Sequence, residues 1–123
     1  MKKFKVTVTR TIEYEVEVDE NLWGVEQREN FQNTFWDLDP TSYAGNNENE
    51  EAAAEFALAL AQQSSRLGCN QFIEGFGMCA QDKKYADAWN KMEHAPGTNL
   101  CTNGLYIKET DDDIDSEIEE IEE

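Results

Sequence analysis

The sequence predicts an α+β fold, in which a small antiparallel or mixed sheet carries two or three helices on one face and an acidic C-terminal tail follows. The first residues alternate between polar and apolar side chains, as strands with one buried face do. Two later stretches begin with helix-capping residues that precede helix formers. The last fifteen residues contain ten carboxylates and no basic side chain. We therefore assign residues 1–108 to one α+β domain and residues 109–123 to the tail.

The alternating start of the chain predicts a β-hairpin. The alternation lasts from Phe4 to Val18, which is long for one strand, and Arg10 interrupts its apolar row. A bulged turn around Arg10 places both apolar rows on one face if opposed residues sum to an even number. The pairs in this register are Val8 with Ile12, Val6 with Tyr14, Lys5 with Glu15, and Lys3 with Glu17. Lysine opposite glutamate supports the same register, because opposite charges across strands are mildly stabilising.

A first helix is predicted over residues 21–38, where Phe31 and Phe35 recur at helical spacing and Pro40 ends the pattern. Trp23 and Trp36 fall off this stripe, so at least one of them is expected at the surface. A third, short helix is predicted after Asp82, which can act as its N-cap, and Pro96-Gly97 stops it.

The second predicted helix has the clearest signals in the chain. Asn47 can cap its start, Glu50 stands three residues later as in a capping box, and Gly68 can end it. Between these signals lie many alanines, which favour helix. The predicted buried stripe consists of Ala53, Phe56, Ala57, Leu60, Ser64 and Leu67.

Two further strand regions complete the predicted order β-β-α-α-β-α-β-β. Residues 71–80 are apolar at successive positions, which is typical of a central or covered strand. Asn103-Gly104 lies between Leu100-Cys101 and Leu105-Tyr106-Ile107, and this pattern predicts a second hairpin.

The charge of the chain excludes several kinds of partner. The formal net charge is −17, so DNA, RNA and anionic membranes should repel the protein. No apolar stretch approaches the roughly 20 residues that a membrane helix needs. The three cysteines are an odd set without a CxxC pair, which is typical of free thiols in a reducing compartment. We expect a cytoplasmic protein with no direct nucleic-acid binding and no membrane contact.

Metal binding and catalysis find little support in the sequence. Cys69, Cys79, Cys101 and His94 form a zinc-type inventory, but they lack the closely spaced pairs of structural zinc sites. Asp111, Asp113, Asp115, Glu119 and Glu122 match acidic positions of a calcium loop, although Ser116 replaces its glycine. The chain has one histidine and no nucleophile or phosphate-loop motif. The prediction is a protein without cofactor or enzymatic activity.

The acidic tail and a small set of other residues are predicted to contact a partner. Ile114, Ile118 and Ile121 fall at helical spacing, so the tail could dock as a short acidic helix; a mobile solubilising tail is the alternative. Carboxylates arrayed like phosphates would suit a DNA mimic, and an exposed Trp36 would suit an interface anchor. The predicted partner-binding residues are Trp36, Glu48, Glu50, Glu51, Glu55, Asp111, Asp112, Asp113, Ile114, Asp115, Ile118 and Ile121.

Two segments carry a resemblance to known proteins. The start KKFKVTVTRTIEYEVEVDE resembles that of small tailed-phage proteins of unknown function, and DDDIDSEIEEIEE resembles the acidic termini of phage-encoded DNA-mimic inhibitors. The resemblance implies a host-directed, non-catalytic phage protein acting in the host cytoplasm. Together with the charge, it predicts an acidic protein that binds a basic partner and inhibits a host nucleic-acid-binding protein. The alternative is an interaction or structural module that uses exposed aromatic residues, with a tail that only solubilises it.

Overall fold

A computed structural model describes residues 1–121 and confirms the α+β fold. These residues form a four-stranded mixed sheet and three helices. The strands are β1 (Phe4–Val18), β2 (Phe72–Ile73), β3 (Gly77–Ala80) and β4 (Cys101–Glu120), and the helices are α1 (Val25–Thr34), α2 (Glu48–Leu67) and α3 (Lys83–Lys91). The order in the sheet is β1-β4-β3-β2, in which β4 runs antiparallel to β1 and parallel to β3.

The signals that begin α2 and α3 are confirmed, whereas α3 already ends at Lys91 and not at Pro96-Gly97. The Asn47 side chain accepts a hydrogen bond from the Glu50 N–H (3.0 Å), and the Glu50 carboxylate accepts one from the Asn46 N–H (2.8 Å). Asp82 caps α3 in the same way, through the Tyr85 N–H at 2.7 Å. Most of the predicted α2 stripe is buried, while Ala57 is half-buried and Leu67 is exposed.

Replacing Asn47 with Ala should lower the free energy of unfolding by about 1 kcal/mol, because the Glu50 N–H loses its side-chain acceptor. Urea unfolding followed by circular dichroism measures this difference. Asn46→Ala is the matched control, since Asn46 takes part in the cap through its backbone N–H alone. Equal destabilisation by both substitutions would show that the Asn47 side chain does not stabilise α2.

The core lies on both faces of the sheet. On one face, α1 and α2 cover an aromatic and aliphatic cluster that includes Phe31, Phe56 and Leu105. On the other face, Ala86 of α3 packs with Tyr106, whose side chain alternates with that of Leu105 along β4. The expectation of helices on one face therefore holds for α1 and α2, and α3 lies opposite.

The predicted N-terminal hairpin is wrong, because β1 is one continuous strand. Val18 pairs with Leu105 and Phe4 pairs with Glu120, so β4 runs beside the whole of β1. The apolar row on β1 faces the core only at its C-terminal end, where Val16 and Val18 pack against the cluster under α2. A distant strand thus replaces the predicted partner, and Arg10 lies within the strand rather than in a turn.

The predicted second hairpin is also wrong, since Asn103-Gly104 lies inside β4. Gly104 has a φ of +77°, and a Cβ there would lie 2.8 Å from Leu22 Cδ1. Because Gly104 has no side chain, the segment between β1 and α1 can lie close against β4 at this position. Residues 71–80 form the two short antiparallel strands β2 and β3 instead of one strand.

Helix α1 is shorter than predicted. The Asp19 C=O accepts hydrogen bonds from the N–H groups of Leu22 and Trp23, and this turn delays the helix to Val25. No helix within residues 1–121 has the length and apolar content needed to cross a bilayer.

Candidate interaction surface on a two-faced arm

The most exposed part of the sheet is a two-stranded ribbon, here called the β-arm, made of residues 4–12 of β1 and 112–120 of β4. Strand β3 pairs with β4 only at Cys101 and Tyr106, so the sheet narrows to two strands beyond that point. Nine residues of extended chain make the β-arm about 30 Å long. Two-stranded ribbons have little stability of their own, and residues along this one are nearly all exposed.

A β-bulge at Thr110 separates the β-arm from the body of the sheet. Tyr14 pairs with Glu109 and Glu13 pairs with Asp111, which leaves Thr110 as an extra residue in β4. The Thr110 hydroxyl donates a hydrogen bond to the Glu13 C=O at 3.2 Å. Because side chains alternate along a strand, this extra residue exchanges the two faces of β4 relative to β1.

The exchange sorts the side chains of the β-arm by polarity. In the body, odd-numbered residues such as Leu105 and Ile107 face the core beside Val16. Beyond the bulge, even-numbered residues of β4 take that face, so Ile118 lies opposite Val6. This face of the β-arm, here called the apolar face, carries the exposed large apolar side chains of Phe4, Val6, Val8, Ile114 and Ile118. Each of these side chains is between 52% and 68% exposed, which is unusual for a contiguous apolar group.

The opposite face carries a continuous acidic row, which begins one residue before the β-arm and is defined as Asp111, Asp113, Asp115, Glu117 and Glu119. Alternate residues of a strand stand about 6.6–6.8 Å apart, so the row places one carboxylate at each such step. The β1 residues opposite the row are, in order, Glu13, Thr11, Thr9, Thr7 and Lys5. Among residues 1–121, no salt bridge involves a member of the row. The acidic face therefore has six carboxylates against one lysine.

The charges on the apolar face are paired, in contrast to those on the acidic face. Arg10 donates two hydrogen bonds to the Asp112 carboxylate, at 2.9 and 2.7 Å. The hydrogen bonds and the positive charge of Arg10 lower the pKa of Asp112, and the same hydrogen bonds and the negative charge of Asp112 raise the pKa of Arg10. Near the tip of the β-arm, Lys2 forms a salt bridge of 2.7 Å with Glu120. The apolar face is thus locally neutral, and the surplus negative charge of the β-arm lies on the other face.

The acidic residues predicted on α2 are partly used within the fold. Glu50 accepts the Asn46 N–H, and Glu55 forms a half-buried salt bridge with Arg28. Glu48 and Glu51 are exposed at the first turn of α2, where negative charge stabilises a helix. These four residues lie on a helix on the body and do not extend the acidic row.

Of the two tryptophans considered from the sequence, Trp36 reaches the surface. It is 36% exposed and packs edge-on against Phe31, with ring centroids 5.1 Å apart. Trp23 is buried and donates its indole N–H to the Asn103 C=O at 3.2 Å. The structure does not bring Trp36 together with the acidic row in one site.

The predicted free or helical tail is wrong for residues 109–120, which are strand. Ile114 and Ile118 share a face because four residues is an even spacing in a strand. Ile121 does not join them: its N–H donates to the Lys3 C=O at the end of the ladder. Asp112 also separates from Asp111, Asp113 and Asp115, because it lies on the apolar face beside Arg10.

The metal inventories do not converge within the described part of the chain. No group of three or more potential ligand side chains is arranged to hold a metal ion among residues 1–121. His94 donates its Nε2–H to the Trp89 C=O at 2.6 Å, and burial raises the pKa of the Cys79 thiol to about 12. Glu122, the last position of the calcium-loop pattern, lies outside the described residues.

Sequence reasoning missed Phe4, Val6 and Val8 as surface residues, because alternation alone predicts a buried face. The signal that could have identified them is a strand pattern near the C-terminus, which makes that segment a possible partner for β1. Ile114 and Ile118 are β-branched and separated by an even number of residues, which suits a strand as well as a helix.

No protein-family model, curated protein or solved structure shows a significant match to this chain. The function has to be inferred from the geometry of the surface itself.

Proposed function

We propose that this protein is a non-enzymatic, cytoplasmic binding protein whose acidic row engages a basic surface on a protein partner. In its most specific form, the partner is a nucleic-acid-binding protein whose basic groove the β-arm occupies in place of nucleic acid. The observation that carries the proposal is the unneutralised row of five carboxylates along one strand face. The order of the row matters more than the net charge, because evenly spaced charge can match a track of Lys and Arg side chains.

The row differs from DNA in charge density. It presents about one charge per 6.7 Å, against one per 3.4 Å of axis along a DNA strand. The threonines opposite the row add hydroxyl groups without adding positive charge. The β-arm is therefore suited to a groove that contacts part of a phosphate track, and steering by long-range attraction should make association fast and sensitive to salt.

Neutralising the row should weaken binding to such a partner at least about fivefold. The variant carries Asp111→Asn, Asp113→Asn, Asp115→Asn, Glu117→Gln and Glu119→Gln. Five exposed ion pairs at roughly 0.2–1 kcal/mol each sum to about 1–5 kcal/mol, which is about fivefold or more in affinity. Biolayer interferometry against a panel of purified DNA-binding proteins, with duplex DNA as competitor, measures the change.

The matched control removes five charges from the body instead. It carries Glu29→Gln, Asp37→Asn, Asp39→Asn, Glu74→Gln and Glu93→Gln, which are exposed residues outside the β-arm. The proposal expects this control to bind within about threefold of the native chain. Equal losses in both variants would mean that net charge alone acts. No loss in the row variant, or binding that duplex DNA does not compete, would reject the acidic row and favour a module that uses aromatic residues such as Trp36.

A further inference from the structure

Among residues 1–121, no strand and no loop backbone group pairs with the outer edge of β1. The sheet order places β1 outermost, with β4 as its neighbour on the inner side. Its fifteen residues include neither Pro nor Gly, and the bulge in the ladder is an extra residue of β4. Edge strands of this length are normally shortened, bulged or interrupted, because their unpaired N–H and C=O groups can pair with another chain.

We propose that a second copy of this chain occupies that edge, so that two β1 strands pair antiparallel and form a symmetric dimer with a continuous sheet. The dimer is independent of the proposed function, since it uses the edge of β1 and leaves the acidic row free. Three features of β1 favour a second copy over a foreign strand: the direction of its backbone groups, the order of its charges and a groove beside it.

The backbone of β1 restricts how such a strand can pair. The Lys3 C=O accepts from the Ile121 N–H, and the Gly104 C=O accepts from the Asp19 N–H. Odd-numbered residues of β1 therefore direct their backbone groups toward β4, and even-numbered residues direct theirs toward the open edge. Two copies can form a regular ladder only if even residues oppose even residues, that is, if opposed residue numbers sum to an even number.

The charges of β1 are self-complementary in an antiparallel pair. Lys5 lies in the N-terminal half and Lys3 directly precedes it, and the C-terminal half carries Glu17 and Glu15, of which Glu15 also forms an exposed salt bridge of 3.3 Å with Lys108. In the register whose sum is 20, Lys5 of each copy lies opposite Glu15 of the other, and Lys3 lies opposite Glu17. These are the same opposed pairs that the sequence predicts for a hairpin within one chain. A single continuous β1 cannot satisfy it, but two copies satisfy it twice.

Arg10 lies on the two-fold axis of this register and meets its own copy. Like charges directly opposite each other are unfavourable across strands. Here each guanidinium is already bound through two hydrogen bonds to Asp112 of its own chain. Two Arg10–Asp112 pairs, each without net charge, therefore lie next to each other at the axis.

In the same register, Phe4 of the second copy lies beside a groove of the first copy. An open groove of about 260 Å³ lies between β1 and α2, lined by Val16, Val18, Tyr43 and Ala57 among others. Its β1 lining comes from the outermost strand, so we expect it to open toward the free edge. Phe4 of the second copy lies opposite Val16, on the face that α2 covers, and its exposed ring can enter this groove. The second copy thus completes a site that one chain leaves open.

Exchanging the charges tests the register. One variant carries Lys3→Glu and Lys5→Glu, so that all four positions are acidic, and the other carries Glu15→Lys and Glu17→Lys, so that all four are basic. Analytical ultracentrifugation should find the native chain at twice its 14.1 kDa mass. Each variant alone should dimerise at least tenfold more weakly, and an equimolar mixture should recover a heterodimer, because every opposed pair is then opposite in charge.

Two single proline substitutions test separately whether the dimer forms through the outer edge of β1. Val8→Pro removes an N–H that points to the open edge, whereas Thr7→Pro removes one that points to β4. Val8→Pro should keep the native circular dichroism spectrum and become monomeric, while Thr7→Pro should loosen the β-arm itself. A native chain that stays monomeric up to about 1 mM, a Val8→Pro variant that still dimerises, or a charge-exchanged mixture that forms no heterodimer would each overturn the proposal.

Discussion

Replacing Phe56 with Ala should lower the free energy of unfolding by about 3–5 kcal/mol, a large part of the 5–15 kcal/mol typical of a domain. Phe56 is fully buried at the centre of an aromatic cluster. Its ring lies edge-on to those of Trp23, Phe31 and Phe76, with centroids 5.1, 5.5 and 6.2 Å away. The substitution removes these contacts and leaves a cavity where α1, α2 and the sheet meet. Urea unfolding monitored by tryptophan fluorescence measures the loss.

Phe72→Ala is the matched control for this prediction. It removes the same side chain from a position that is 55% exposed, so we expect a change below about 1 kcal/mol. If Phe56→Ala cost no more than Phe72→Ala, the aromatic cluster would not be the centre of the core.

Deleting Thr110 should remove the bulge and keep both faces of the β-arm. Without the extra residue, Glu109 and Asp111 become neighbours that still pair with Tyr14 and Glu13, so the pairing of residues 112–120 with β1 is unchanged. The deletion removes the hydrogen bond from the Thr110 hydroxyl to the Glu13 C=O but makes the ladder regular, so we expect the free energy of unfolding to change by less than about 1 kcal/mol. Amide hydrogen exchange should show native protection both in residues 112–120 and in α2.

Thr110→Ala separates the length of the strand from the chemistry of the residue. It removes the hydrogen bond to the Glu13 C=O and keeps the bulge, so the β-arm should remain protected at a cost of about 1 kcal/mol. Reduced protection of residues 112–120 in the deletion variant alone would show that the bulge itself, and not only the pairing beyond it, stabilises the β-arm.

The parts of the fold that could be predicted from the sequence are those with local causes. Asn47 and Asp82 cap their helices because the acceptor side chain and the N–H it binds lie three residues apart. The alternation of β1 also identified a strand correctly. What alternation could not identify was the partner, because alternation within β1 shows which of its faces is apolar and not which strand lies beside it.

The errors came from contacts between distant residues. The chain ends of the ladder, near Phe4 and Glu120, pair across almost the entire sequence, and no short-range pattern encodes that pairing. Gly104 looked like a turn residue, but the approach of Leu22 explains it. The carboxylates from Asp111 to Glu120 suggested a solvated tail, yet in the structure their backbone is paired with β1, and all of them except Asp112 and Glu120 share one face. The candidate site was therefore predicted in composition but not in arrangement.

The pairing of β1 with β4 also bears on how the protein is made. β1 ends at Val18 and β4 begins at Cys101, so a ribosome completes the first strand long before the second. Until then both sides of β1 lack a neighbour, and closing so long a loop is entropically expensive and slow. During that interval β1 is open to pairing with β1 of another nascent chain, because its basic start and acidic end are complementary in an antiparallel pair.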